Sequence, residues 1–256
     1  MEIVRINHIT GMRLRVQRGT EMRGHDKIYD PWLRIPIKEV NVQVERMVRN
    51  WFIRPDAVIG EMNAGGANHI NRIFFDKIWR KIEDKDGFAK RIMKNCTPKV
   101  NVLFIQFYAH RLNDQKRFDE CYRHLDKSVL IAKELPHPSW DKWVVSGHFF
   151  QARYHPLVDD KAKYCIASIL EPRTLDFSPH LKYWKIFRAA AWLVGNGVTT
   201  PEATKAIKRY KALNFTGYVE QRGGGEDEYC TEGILEDPNK CLALMTESTA
   251  HHLGNP

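Results

Sequence analysis

Four times in this chain a helix-capping residue stands directly before a proline: Thr97-Pro98, Ser178-Pro179, Thr200-Pro201 and Asp237-Pro238. A Ser, Thr or Asp oxygen in that place accepts a hydrogen bond from a free N–H of the first turn. Proline at the first helical position has no N–H to leave unsatisfied and a φ already suited to the helix. Each pair therefore marks a helix start. With breaks at PHPS, HP, EPRT and GNGV, the sequence reads as helices over 98–113, 115–135, 139–153, 157–169, 179–195, 201–214 and 238–248.

Upstream, apolar periodicity carries the reading. Val40, Val44, Met47, Val48 and Trp51 form one helical stripe that ends before Pro55. A loop, NAGGAN, follows a short helical turn, and Ile70, Ile73, Phe74, Ile78 and Ile82 make a second stripe that Gly87 closes. Before Pro36 the period changes to two. Met12, Leu14 and Val16 alternate with Arg13, Arg15 and Gln17, as in a half-solvated strand with EIVRINHI as its hairpin partner. The expected fold is mainly α: a basic multi-helix globular body (37–216) between a short N-terminal β-hairpin or extended arm (1–36) and an acidic C-terminal tail with one short helix (217–256).

Charge is distributed along the same division. Residues 1–215 hold 38 Lys+Arg against 23 Asp+Glu, whereas residues 216–256 hold 2 against 8, and the whole chain nets +9. The sign changes at the glycine triplet 223–225, beyond which Glu226, Asp227, Glu228, Glu232, Glu236 and Asp237 follow within twelve residues. A basic body of this kind points to an anionic partner, RNA before duplex DNA. The acidic tail is expected to fold back on the cationic face, or onto the next copy, and compete with nucleic acid.

The 43% hydrophobic content is enough for a globular core. The longest apolar run, Val100–Ala109, is broken by Asn101 and Gln106, so it falls short of the roughly 18 residues a membrane span needs. The N-terminus shows no apolar signal-peptide core. Five widely spaced cysteines read as free thiols of a reducing compartment. The expected location is intracellular, cytoplasmic or nuclear, with a virion as the further setting.

The cations fall into four sets at helical spacing: Lys77, Arg80 and Lys81; Lys90, Arg91 and Lys94; Lys182, Lys185 and Arg188; Lys205, Lys208 and Arg209. Two or three cations on one helix face neutralise successive phosphates and release their counterions. Aromatic residues lie among them, and Tyr210, inside KRYK, is the expected exposed platform for base stacking.

No metal site or cofactor is expected. Cys121 and His124 share a helix face, but the tight C-x-x-C pair of a structural zinc site is missing, as are the P-loop, G-x-G-x-x-G and H-E-x-x-H motifs. Pro55-Asp56 with Glu83-Asp84-Lys85 satisfies a loose metal-nuclease pattern, yet helix separates the carboxylates. One catalytic alternative is a compact helical ribonuclease. In it His124 would transfer the proton at a 2′-OH and Arg117, seven residues earlier on the same face, would stabilise phosphate charge. Another alternative is a helical interaction module for an acidic protein.

The favoured expectation is a non-enzymatic, nucleic-acid-binding structural protein, nucleocapsid-like or coat-like in layout, that forms homo-oligomers through its arm and tail. Affinity for single-stranded RNA should then fall steeply with salt. About six phosphate contacts predict a log–log slope near −4 in a filter-binding titration, and a flat response would remove the electrostatic reading.

Overall fold

The computed structural model describes residues 3–6, 13–16, 37–175, 185–213, 235 and 238–241. Among these residues the fold is mainly α, with ten helices of nine residues or more: α1 (Ile37–Trp51), α2 (Pro55–Gly65), α3 (His69–Trp79), α4 (Lys85–Asn95), α5 (Pro98–Asp114), α6 (Phe118–Glu134), α7 (Asp141–Tyr154), α8 (Val158–Leu170), α9 (Phe187–Gly195) and α10 (Pro201–Lys211). A last turn, α11, covers Pro238–Cys241. Two four-residue strands, β1 (Ile3–Ile6) and β2 (Arg13–Val16), pair antiparallel with Ile3 opposite Val16. The rest of the expected N-terminal arm, the Ser178-Pro179 helix start and the acidic run from Glu226 to Glu232 lie outside the described residues. No described helix is long and apolar enough to cross a membrane. The chain divides into two compact units, Met1–Trp143 and Val144–Pro256.

Helices start at Pro98, Pro201 and Pro238, where the sequence places them. The caps differ in kind. Thr200 Oγ1 accepts from the Ala203 N–H at 3.2 Å, whereas Thr97 makes no side-chain cap and instead donates its backbone N–H to Asn63 Oδ1 at 2.8 Å.

Gly87 does not close a helix. It sits in the first turn of α4 and donates its N–H to the N-cap carboxylate of Asp84 at 2.8 Å. A Cβ there would lie 2.0 Å from Asp84 Oδ2, so glycine leaves room for the cap. The NAGGAN loop is likewise shorter than its composition suggests. α2 runs to Gly65, Gly66 turns the chain at φ 67°, and Asn68 already caps α3 by accepting from the Asn71 N–H. The helix expected from 115 begins at Phe118, because Lys116 takes a left-handed φ of 61° and breaks the path.

The first unit is built around α5. Val100, Val102, Leu103, Phe104, Ile105, Gln106, Tyr108, Ala109 and Leu112 are buried, so this helix is covered on nearly every side. Aromatic rings fill the space between α1, α3, α4 and α5. Trp51 meets Phe88 edge-on at 4.9 Å, Phe75 meets Phe104 at 4.9 Å, and Trp79 meets Tyr108 at 5.8 Å. The two polar residues inside the apolar run have fixed duties. Gln106 donates to Ser128 Oγ at 3.0 Å and to the Trp143 carbonyl at 2.8 Å, while Asn101 donates to the Met93 and Cys96 carbonyls that end α4.

In the second unit α9 is the central element. Phe187 to Leu193 are all buried, and three consecutive alanines let neighbouring helices approach closely. α8 contributes Cys165 and Ile169, and α10 contributes Ala203, Ala206 and Tyr210. Leu235 and Cys241 complete this core, so part of the segment expected as an acidic tail is packed structure. Leu235 is 6% exposed. Leu235→Ala is expected to cost about 2–4 kcal/mol in denaturant unfolding, and an unchanged midpoint would place that side chain outside the core.

Candidate nucleic-acid interface

Burial and pairing sort the cations that helical spacing groups together. In the first set, Lys77 donates to Glu45 of α1 at 2.9 Å, and Lys81 lies 4.0 Å from the same carboxylate. The hydrogen bond from Lys77 is the main reason the Glu45 carboxyl is held below its usual range. Arg80, just past the last turn of α3, is exposed, and its side chain has no ion pair or hydrogen bond among the described residues. In the second set, Arg91 is bound to Asp56 at 2.8 Å and lies 5.9 Å over the Trp51 ring. Lys90 and Lys94, one turn apart on α4, are both exposed and make no ion pair or hydrogen bond among the described residues.

The second unit treats its cations differently. Lys182 lies outside the described residues. Lys185 donates to Ser146 Oγ and sits 4.6 Å over the Phe150 ring. Arg188 is 6% exposed and belongs to the interior. Lys205 and Lys208 are exposed.

Arg209 reaches across to the end of α8. There it donates to the carbonyls of Ile169 at 2.9 Å, Leu170 at 2.8 Å, Pro172 at 2.7 Å and Arg173 at 3.4 Å. A helix C-terminus leaves carbonyls unpaired and carries partial negative charge, and one guanidinium satisfies both needs. Tyr210 is 7% exposed with its ring 6.0 Å from Phe187. It packs in the core and offers no exposed face for a base, contrary to the sequence expectation.

Arg117 and His124 are brought near one aromatic ring, without catalytic geometry. The Arg117 guanidinium is held by Glu120 (Nε to Oε1 2.7 Å, Nη2 to Oε2 2.7 Å) and by Asp86 (Nη1 to Oδ1 3.0 Å, Nη2 to Oδ2 3.2 Å). Two bidentate carboxylates leave it no donor fork for a phosphate, and they raise its pKa. Tyr108 donates to Asp86 Oδ1 at 2.8 Å, and its hydroxyl is pushed up to about 12, first by burial and then by that carboxylate. His124 meets the Tyr108 ring edge-on at 5.0 Å, and burial lowers its pKa. This cluster ties α4 to α5 and to the start of α6.

The remaining candidates are also structural. Cys121 is fully buried and its thiol is pushed up to about 12 by burial. Asp56 pairs with Arg91 and Asp84 caps α4, so the two halves of the loose nuclease pattern serve separate helices.

What remains is a basic edge at the α4–α5 turn. Lys90 and Lys94 lead along α4, and Lys99 follows in the first turn of α5. The turn between them is fixed by Asn101, by the Asn63–Thr97 bond and by Asn63 Nδ2 donating to the Asn95 carbonyl at 3.2 Å. Lys99 Nζ lies 5.8 Å from the ring of Trp140, and Lys142 Nζ lies 6.0 Å from the same ring and 5.7 Å from that of Trp143. Sequence reading passed over Lys99, Trp140 and Lys142. Their only signal was the local run SWDKW, and Lys99 joins them solely through the fold.

Compared with known protein families, curated proteins and solved structures, the chain has no significant match in any of the three.

Two outcomes follow from these pairings. Arg209→Ala should lower stability by about 1.5–3 kcal/mol, the range for hydrogen bonds to a charged group, whereas Lys205→Glu with Lys208→Glu should stay within about 0.5 kcal/mol. Thermal melts of both variants would separate the capping arginine from its solvated neighbours. The hydrogen bonds from Arg117, and then that from Tyr108, hold the Asp86 carboxyl below its usual range. Its contribution is therefore full above the ordinary carboxylate pKa and is lost as pH falls through the lowered one. An Asp86→Asn variant should melt below the native chain at neutral pH, with the gap closing below about pH 4; a gap independent of pH would remove the carboxylate's charge from the account.

Proposed function

We propose that this protein binds nucleic acid, RNA before duplex DNA, as a non-enzymatic structural protein of nucleocapsid or coat type that works in multiple copies. The observation that carries the reading is the row of exposed lysines at the α4–α5 turn: Lys90, Lys94 and Lys99, with Arg80 exposed at the end of α3. Exposed cations outside any ion pair hold counterions that a phosphate chain releases, and that release drives association; of the four, Lys90 feels a nearby carboxylate, Asp86, at longer range. Lys90 and Lys94 rise about 6 Å apart along their helix, comparable with successive phosphates of an extended strand.

Shape argues in the same direction as charge. Two clefts along α1 and α2, one of about 550 Å³ lined by Lys38, Glu39, Val42, Gln43 and Arg46 and one of about 250 Å³ lined by Arg46, Asn50, Arg54, Ala57, Val58 and Glu61, are open troughs. Neither encloses its contents as a small-molecule site does, which buries most of what it binds. An extended polyanion asks only for a surface. The copies are proposed to associate through the N-terminal arm and the acidic segment, which suits a protein that lines a strand.

Two measurements test the reading. Size exclusion with absorbance at 260 and 280 nm on the purified protein should show co-eluting nucleic acid in a species larger than one chain. Lys90→Glu with Lys94→Glu should weaken RNA binding at low salt by at least about tenfold and make the salt slope shallower by about 1.4, with two phosphate contacts removed. Equal affinity and slope in a folded double variant would remove the α4–α5 edge from the interface.

A further inference from the structure

We infer that Trp140, with Lys99 and Lys142 on its ring, is a stacking platform for an unpaired base, and that the strand carried by the basic edge is therefore single-stranded over this stretch. The inference rests on the nucleic-acid reading above and adds the form of nucleic acid and the residue that senses it.

Trp140 is placed by a rigid turn. His137 caps a 3₁₀ turn over Pro138–Trp140: its Nδ1 accepts the Ser139 N–H at 3.1 Å and lies 2.8 Å from the Ser139 hydroxyl, and the Trp140 N–H bonds the His137 carbonyl at 3.0 Å. Prolines at 136 and 138 restrict the backbone on the entry side. The indole is half-buried, so part of it meets solvent in a fixed orientation at little further entropic cost.

Two ammonium groups attend this ring, at 5.8 and 6.0 Å from its centroid. These distances lie at the outer limit of the cation–π range, so each lysine is held loosely and can leave the ring for a phosphate oxygen while a base takes its place. Lys99 is exposed, and Lys142 makes no ion pair or hydrogen bond among the described residues. Burial beside Trp140 and Trp143 pulls the Lys142 ammonium below its ordinary pKa, and a phosphate would reverse that effect. An aromatic face flanked by two uncommitted cations is the arrangement that binds base and backbone of one nucleotide together. Paired bases in a duplex expose no face to it.

Tryptophan fluorescence with a short oligouridylate, inorganic polyphosphate and an RNA duplex as probes tests this on the full chain. Oligouridylate should quench emission in the native protein, and Trp140→Phe should abolish most of that quenching although six other tryptophans remain. Trp140→Leu should lose about tenfold in oligouridylate affinity, the effect of one stacked base, and bind polyphosphate as the native chain does.

Equal losses for oligouridylate and polyphosphate would show a merely electrostatic or structural residue and overturn the inference. So would undiminished quenching in Trp140→Phe, tighter binding of duplex than of single strand, or a change of oligomeric size in Trp140→Leu, which would assign the ring to a protein contact. Failure of the native chain to bind any of the three polyanions would remove the nucleic-acid reading itself, whereas normal salt-dependent binding with an inert Trp140 removes this inference alone.

Discussion

Burial of α5 is the constraint from which the first unit follows. A helix apolar on nearly all sides cannot lie on a surface, so α2, α3, α4 and α6 gather around it, and the rings of Trp51, Phe75, Trp79, Phe88 and Phe104 close the gaps. Its buried amide donors are satisfied inside. Gln106 meets a hydroxyl of α6 and the Trp143 carbonyl, and Asn101 takes the carbonyls that end α4. An unpaired amide at either position would cost about 1–3 kcal/mol, so these bonds fix where the neighbouring elements end.

The basic edge is a consequence of that packing. Asn101 and Asn63 clamp the α4–α5 turn, and Lys94 and Lys99 stand on either side of it. α4 faces inward with Phe88, Ala89 and Ile92 and outward with Lys90 and Lys94. The carboxylates near this region are already committed: Asp86 to Arg117 and Tyr108, and Asp56 to Arg91. Cations left over after such pairing are the ones whose field reaches solvent. The second unit spends more of its cations internally, with Arg209 at the end of α8, Lys185 on Ser146 and Phe150, and Arg188 in the core.

Helical content was legible because it is written in neighbouring residues. Thr200-Pro201 and the Val40–Trp51 stripe act over a few positions, and helices appear where they indicate. Gly87 misled for a related reason. Glycine after an apolar stripe resembles a helix end, and only the position of the Asp84 carboxylate shows that it lies inside a new first turn. The net charge of the acidic segment says nothing of Leu235 and Cys241, which are buried with Phe187, Trp192 and the alanines of α9.

By itself, then, the sequence determined a chain of capped, amphipathic helices with an excess of positive charge, because caps, periodicity and net charge need no knowledge of distant residues. Only tertiary structure decided which cations are free. Arg209 and Lys208 look alike in KRYK, yet one is bound to carbonyls 36 to 40 residues away and the other meets water. Helical spacing gives the side of a helix on which a cation lies; what covers that side is set by chain segments remote in sequence. The same holds for Trp140, whose attendant Lys99 lies on another helix and reaches the ring only because α5 is buried where it is.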